Sequence, residues 1–96
     1  MTMLNPTSDW LKPETWKTGS LVKTKDQVEL LSVDEVLHEI FDEDEIFLVL
    51  KAQWETEFNN DSIFVVTLLT KRGLYDFFPE DCYEFDFPLE IVYETR

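Results

Sequence analysis

The sequence predicts a single small domain, mostly β, closed into a barrel. Three observations carry this. Ile46–Trp54 and Ser62–Thr70 are apolar runs rich in β-branched and aromatic residues, each bounded by turn-forming residues, and so read as strands. The second run passes through Lys71-Arg72-Gly73 into Leu74–Phe78, which is a hairpin signal. Finally, 15% of the 96 residues are aromatic, eight of them Phe, and large rings fill a small barrel efficiently. A chain of this length buries roughly 60–70% of its unfolded surface, so one core must serve the whole molecule.

In chain order, residues 1–18 read as an arm. Pro6 and Pro13 interrupt regular pairing there, and Trp10, Leu11 and Trp16 are its apolar anchors. The two tryptophans either cover an open end of the barrel or present an aromatic contact to a partner. The barrel domain spans 19–93, and 94–96 form a frayed tail. Thr18-Gly19-Ser20 turns into a first strand, Ser20–Thr24. Lys25-Asp26-Gln27 turns again, and Val28–Ser32 follows with Val28 and Leu30 on one face. The insert 32–45 predicts a short helix, Val33–Phe41. Ser32 and Glu35 fit a capping box, and Val33, Val36, Leu37, Ile40 and Phe41 fall on one helical face. An extended loop between strands is the alternative. After the hairpin, Pro79–Cys82 reads as one helical turn with Pro first. Tyr83–Phe87 and Leu89–Tyr93 supply the last strand or two, and Pro88 places that segment at a sheet edge.

Charge is the strongest compositional signal. Twenty-one Asp and Glu against eight Lys and Arg give −13. The imbalance is uneven: residues 1–25 hold four bases and two acids, whereas 26–96 hold four bases and nineteen acids. Such a surface repels nucleic acid and anionic membrane and attracts basic protein surfaces. Direct DNA or RNA binding, which needs cations against phosphate, is disfavoured. No stretch of ~20 apolar residues predicts a membrane span, and the N-terminus lacks the basic and apolar regions of a signal peptide, so a cytoplasmic location is expected.

Catalysis finds little support. His38 is the one histidine and Cys82 the one cysteine, with no nucleophile–base pattern and no phosphate-cradling glycine motif. No enzyme activity and no cofactor are expected. Asp42, Asp44 and Asp61 offer hard oxygen ligands, but without the spacing and glycine of a calcium loop, so no dedicated metal site is predicted.

The order Gly19-Ser-Leu-Val22, Ile46–Leu50, Phe64–Leu69, Gly73-Leu-Tyr75 and Pro79-Glu-Asp81 resembles a small SH3-like barrel of the kind common in tailed-phage genomes. The resemblance covers roughly residues 16–92. It implies a phage-encoded, non-enzymatic domain acting inside the host cell.

The acidic surface is then the best functional candidate. Duplex DNA carries one negative charge per ~1.7 Å of axis, and carboxylates on a rigid scaffold can imitate it. The expectation is a DNA mimic that binds and blocks a basic, nucleic-acid-binding surface of a host protein. Asp42, Glu43, Asp44, Glu45, Glu55, Glu57 and Asp61 would replace phosphates, with Trp54 and Phe58 as aromatic anchors. The alternative is a virion structural or assembly component that docks through the hairpin edge and the Trp10/Trp16 arm. A solvated face that only confers solubility is the plainest reading of the same acids. The oligomeric state is not legible in the sequence.

Overall fold

The computed structural model describes residues 10–34, 37–56, 60–82 and 87–94. Seven strands form one antiparallel sheet: β1 (Leu21–Thr24), β2 (Val28–Ser32), β3 (His38–Phe41), β4 (Ile46–Thr56), β5 (Ser62–Thr70), β6 (Gly73–Phe77) and β7 (Leu89–Tyr93). Their order is β3-β2-β6-β5-β4-β1-β7. The sheet curls into a half-barrel. Phe41 of β3 packs edge-on against Phe47 of β4, ring centroids 5.3 Å apart, although three strands lie between them in the sheet.

Period-2 alternation decides what fills the curl. Phe64, Val66 and Leu68 of β5 face inward and are fully buried, opposite Trp54, Ala52 and Val49 of β4. Tyr75 and Phe77 of β6 continue the same layer against Leu68 and Val66. A bulge at Leu50 shifts the register between Val49 and Lys51. One extra residue there bends the long strand and lets it follow the curl.

The arm contributes to this core. Pro13–Thr15 form a 3-10 turn, after which Trp16 is fully buried. Its ring lies 6.0 Å from Phe77, and its indole N–H donates to the Trp10 carbonyl at 2.7 Å. Trp10 in turn stacks on Phe87 at 4.2 Å. Buried in this way, Trp16 is not available to a partner.

The predicted helix over Val33–Phe41 is not formed. Val33 and Asp34 lie in a turn, and His38–Phe41 is β3, paired with β2 from Val28↔Phe41 to Leu31↔His38. Two effects outweigh the helical spacing. The outer edge of β2 needs a partner for its backbone groups. Ser32, instead of capping a helix, braces the turn: its hydroxyl donates to Asp34 at 2.5 Å and accepts from the Leu37 N–H at 3.1 Å, beside a Ser32 N–H to Leu37 carbonyl bond of 2.8 Å. Glu39 and Phe41 then face the concave side, while His38 and Ile40 face out.

The second 3-10 turn, Pro79–Asp81, forms with Pro at its first position. The expected strand over Tyr83–Phe87 falls outside the described residues up to 86, and Phe87 is irregular. Leu89–Tyr93 lies at a sheet edge, as Pro88 requires. In the predicted tail, Glu94 pairs with Lys17 at 3.1 Å, and Thr95 and Arg96 fall outside the described residues.

Candidate partner-binding surface

The acidic turn between β3 and β4 is built on Thr24. This fully buried side chain donates to the Asp42 carbonyl at 2.7 Å and accepts from the Glu45 N–H at 2.8 Å. The Thr24 backbone accepts from Asp44 and donates to Glu45, both at 2.9 Å. Asp44 takes φ 67°, a left-handed conformation that Asp tolerates better than most residues. Asp42, Glu43 and Asp44 are therefore held outward on a fixed backbone.

Glu45 behaves differently. Its carboxylate folds back to accept the Asp42 N–H at 2.9 Å and meets Lys71 Nζ at 3.3 Å, with the side chain largely covered. That makes it a brace of the turn. Asp44 pairs with Lys23 at 3.2 Å but stays exposed, and Asp42 receives Gln27 Nε2 at 3.4 Å.

At the other end of β4 stand Trp54, Glu55 and, across the loop, Asp61. Trp54 rests edge-on against Phe64 at 5.3 Å and is 47% exposed, so half of its indole is offered to solvent. Glu55 is half-buried and accepts from Gln53 at 3.2 Å. Glu80 and Asp81 are exposed near this end, because the Glu80 carboxylate caps the Phe64 N–H at 2.8 Å. Glu57 and Phe58 lie outside the described residues.

β4 has 11 residues, and at ~3.3 Å per residue its two ends are roughly 30 Å apart. The candidate carboxylates therefore fall into two clusters, Asp42–Glu45 and Glu55 with Asp61, instead of one stripe. Between them β4 presents Lys51 and Gln53, not acids.

Two features of the surface were not singled out from the sequence. The first is a group at the mouth of the half-barrel. The Tyr75 hydroxyl donates to Glu39, and Arg72 reaches the same carboxylate at 3.5 Å and the Ile40 carbonyl at 3.3 Å. Arg72 also lies over the Phe41 ring, 4.3 Å from its centroid. Tyr75 titrates above its ordinary value, first because of the bond to Glu39, then through loss of water and the carboxylate charge, with Arg72 opposing. Its partners sit on β3, so the group is visible only once the insert is known to be a strand.

The second feature is an apolar row on the convex face. Its sequence signal was available: Phe64–Leu69 is nearly continuous in apolar residues, which marks a strand with both faces apolar.

The Cys82 thiol is pushed up to about 11, first by burial and then by the Asp81 charge, so it is protonated near neutrality. His38 is paired with Glu29 at 3.1 Å on the outer face. Among the described residues no three metal-binding side chains converge, and no helix is long and apolar enough to cross a membrane.

Neither protein-family models, nor curated proteins, nor solved structures contain a match to this chain.

Proposed function

We propose that this chain is a non-enzymatic interaction domain on a small SH3-like scaffold, phage-encoded, that blocks a basic nucleic-acid-binding surface of a host protein by standing in for DNA. The observation that carries the reading is the rigid presentation of Asp42, Glu43 and Asp44 on a turn locked by Thr24. Carboxylates fixed in place lose little freedom on binding, which is where a mimic gains affinity over a flexible acidic tail. Glu55 and Asp61 form a second acidic position with Trp54 as a half-exposed anchor beside it. The two positions lie roughly 30 Å apart, of the order of one turn of duplex DNA (~34 Å). A basic groove that grips phosphates one turn apart is the client this spacing suits. Glu45 is a positioning residue in this scheme, since it holds the turn.

The test is capture from host lysate on immobilised protein, followed by elution with salt and, separately, with duplex DNA. Clients should be nucleic-acid-binding proteins, released by both treatments and lost when Asp42, Glu43 and Asp44 become amides. Retention that ignores salt and duplex would overturn the reading, because an electrostatic grip weakens with ionic strength.

A further inference from the structure

We infer that the seam where β2 parts from β6 is a binding pocket for a single guanidinium group. Among the described residues the β2–β6 ladder has two pairs, Ser32↔Tyr75 and Leu31↔Asp76. Its next steps would bring Leu30 to Phe77 and Glu29 to Phe78. The chain leaves β6 there instead. Pro79 opens a 3-10 turn, and the Phe78 carbonyl is taken by the Asp81 N–H at 3.0 Å. The two strands separate, and a cavity of about 270 Å³ lies between them. That is below the ~300–1,000 Å³ of pockets for drug-sized ligands, so it suits one small head group.

The walls favour a flat cation. Buried Val28 and Phe77 lie deepest, and half-buried Leu31 and Phe78 stand above them. A guanidinium is planar and weakly hydrated, so it loses less than an ammonium when it rests on apolar and aromatic surface. Phenyl rings add their own attraction for a cation.

Hydrogen bonding points the same way, because acceptors outnumber donors in the lining. The exposed Asp81 carboxylate holds no cation among the described residues. Glu29 meets His38 through Oε1 at 3.1 Å, which leaves Oε2. The Gln27 amide turns its nitrogen to Asp42 at 3.4 Å, which leaves its oxygen. The backbone adds one more acceptor. Ser32 gives its N–H to the Leu37 carbonyl on the β3 side, so by alternation Leu31 and Glu29 turn their backbone groups toward β6. The Glu29 carbonyl therefore faces the seam. Against these stand the His38 ring and the Cys82 thiol, a weak donor. No Lys or Arg is among the described lining residues; Lys25 meets this corner through its backbone N–H, bonded to the Pro88 carbonyl at 2.7 Å. An anion would be repelled by Glu29 and Asp81. A guanidinium, with five N–H donors in a fixed fork, matches the set. Asp42, Glu43 and Asp44 do not line this pocket, so it stands apart from the proposed blocking surface.

Titration of the full chain with N-acetyl-arginine-amide, followed in proton–nitrogen correlation spectra, tests the inference. The amides of Glu29, Leu31, Phe78 and Cys82 should shift together and saturate in the millimolar range. N-acetyl-citrulline-amide, the neutral isostere, should bind about tenfold more weakly, as loss of a charged hydrogen bond requires. Asp81→Asn and, separately, Glu29→Gln should weaken arginine binding with the free spectra otherwise unchanged. Glu43→Gln should leave it intact, which sets a built pocket apart from general attraction to an acidic chain. Methylguanidine binding as tightly as the blocked amino acid would assign the site to a free small guanidine, and weaker binding would assign it to an arginine side chain of a protein. No saturation, equal binding of citrulline, indifference to both pocket variants, or equal loss in Glu43→Gln would each overturn the inference.

Discussion

At the scale of single residues, two side chains do work that composition hides. Glu80 is one more acid in a list of twenty-one. Its carboxylate nevertheless takes the Phe64 N–H, where β5 has run past the end of β6 and, among the described residues, has no ladder partner on that side. Glu80→Ala leaves that donor without its acceptor and should cost about 1–2 kcal/mol in urea denaturation, with Glu80→Gln costing less. The second is Cys82, whose folded value of about 11 stands above the 9.0 of an unperturbed thiol. Below pH 9 the thiol is protonated in both folded and unfolded chains, so its contribution to stability is fully present. Between pH 9 and 11 only the unfolded chain ionises, and that contribution is lost. Stability should fall through this window, Cys82→Ala should remove part of the slope, and alkylation of the native thiol at pH 8 should be slower than that of a free cysteine. None of this is readable from the sequence, because a residue type does not announce which backbone group it will meet.

At the scale of elements, the strands were legible and the insert was not. Val28–Ser32, Ser62–Thr70 and Leu89–Tyr93 follow the predicted bounds because apolar alternation and turn residues agree there. In 33–41 the two signals conflict: helical spacing competes with β-branched residues and with the demand of the β2 edge for a partner. The tertiary demand prevails, as it does over a weak local propensity. The β5–β6 hairpin shows the opposite case, where local chemistry suffices. Gly73 sits at φ 120°, and a Cβ there would meet nothing within 4 Å. The cost of Gly73→Ala is therefore backbone strain alone, about 1–3 kcal/mol, read as a lower denaturation midpoint with an unchanged m-value. Thr70 shares the load, accepting the Arg72 N–H and donating to the Gly73 carbonyl, both at 3.0 Å.

At the scale of the whole molecule, charge works against the fold. Nineteen carboxylates and four bases occupy residues 26–96, and their mutual repulsion is greatest when ions are scarce. The melting temperature should rise as salt goes from low to moderate. A flat or falling response would show that pairs such as Lys23–Asp44 and Lys71–Glu45 already neutralise the surface. The amount of acid was plain in the sequence, but its arrangement was not. Whether Asp42 and Glu55 share a ridge depends on the length of β4, and that strand holds them at opposite ends. The two-faced apolar character of β5 was readable, but the row was not, since Leu21, Leu48, Leu69 and Leu74 become neighbours only through cross-strand register.

Among the described residues the half-barrel has two unmatched margins, and β3 is one of them. There the Ile40 carbonyl points away from β2, toward the place a foreign strand would add. Arg72 occupies that oxygen, anchored by Glu39 and the Phe41 ring. A cation thus acts as a bolt across the seam, and templated polymerisation along this margin must first withdraw it. Arg72→Ala should shorten the lag of fibril formation in high salt, where the molecule's own repulsion no longer guards it, as followed by thioflavin fluorescence.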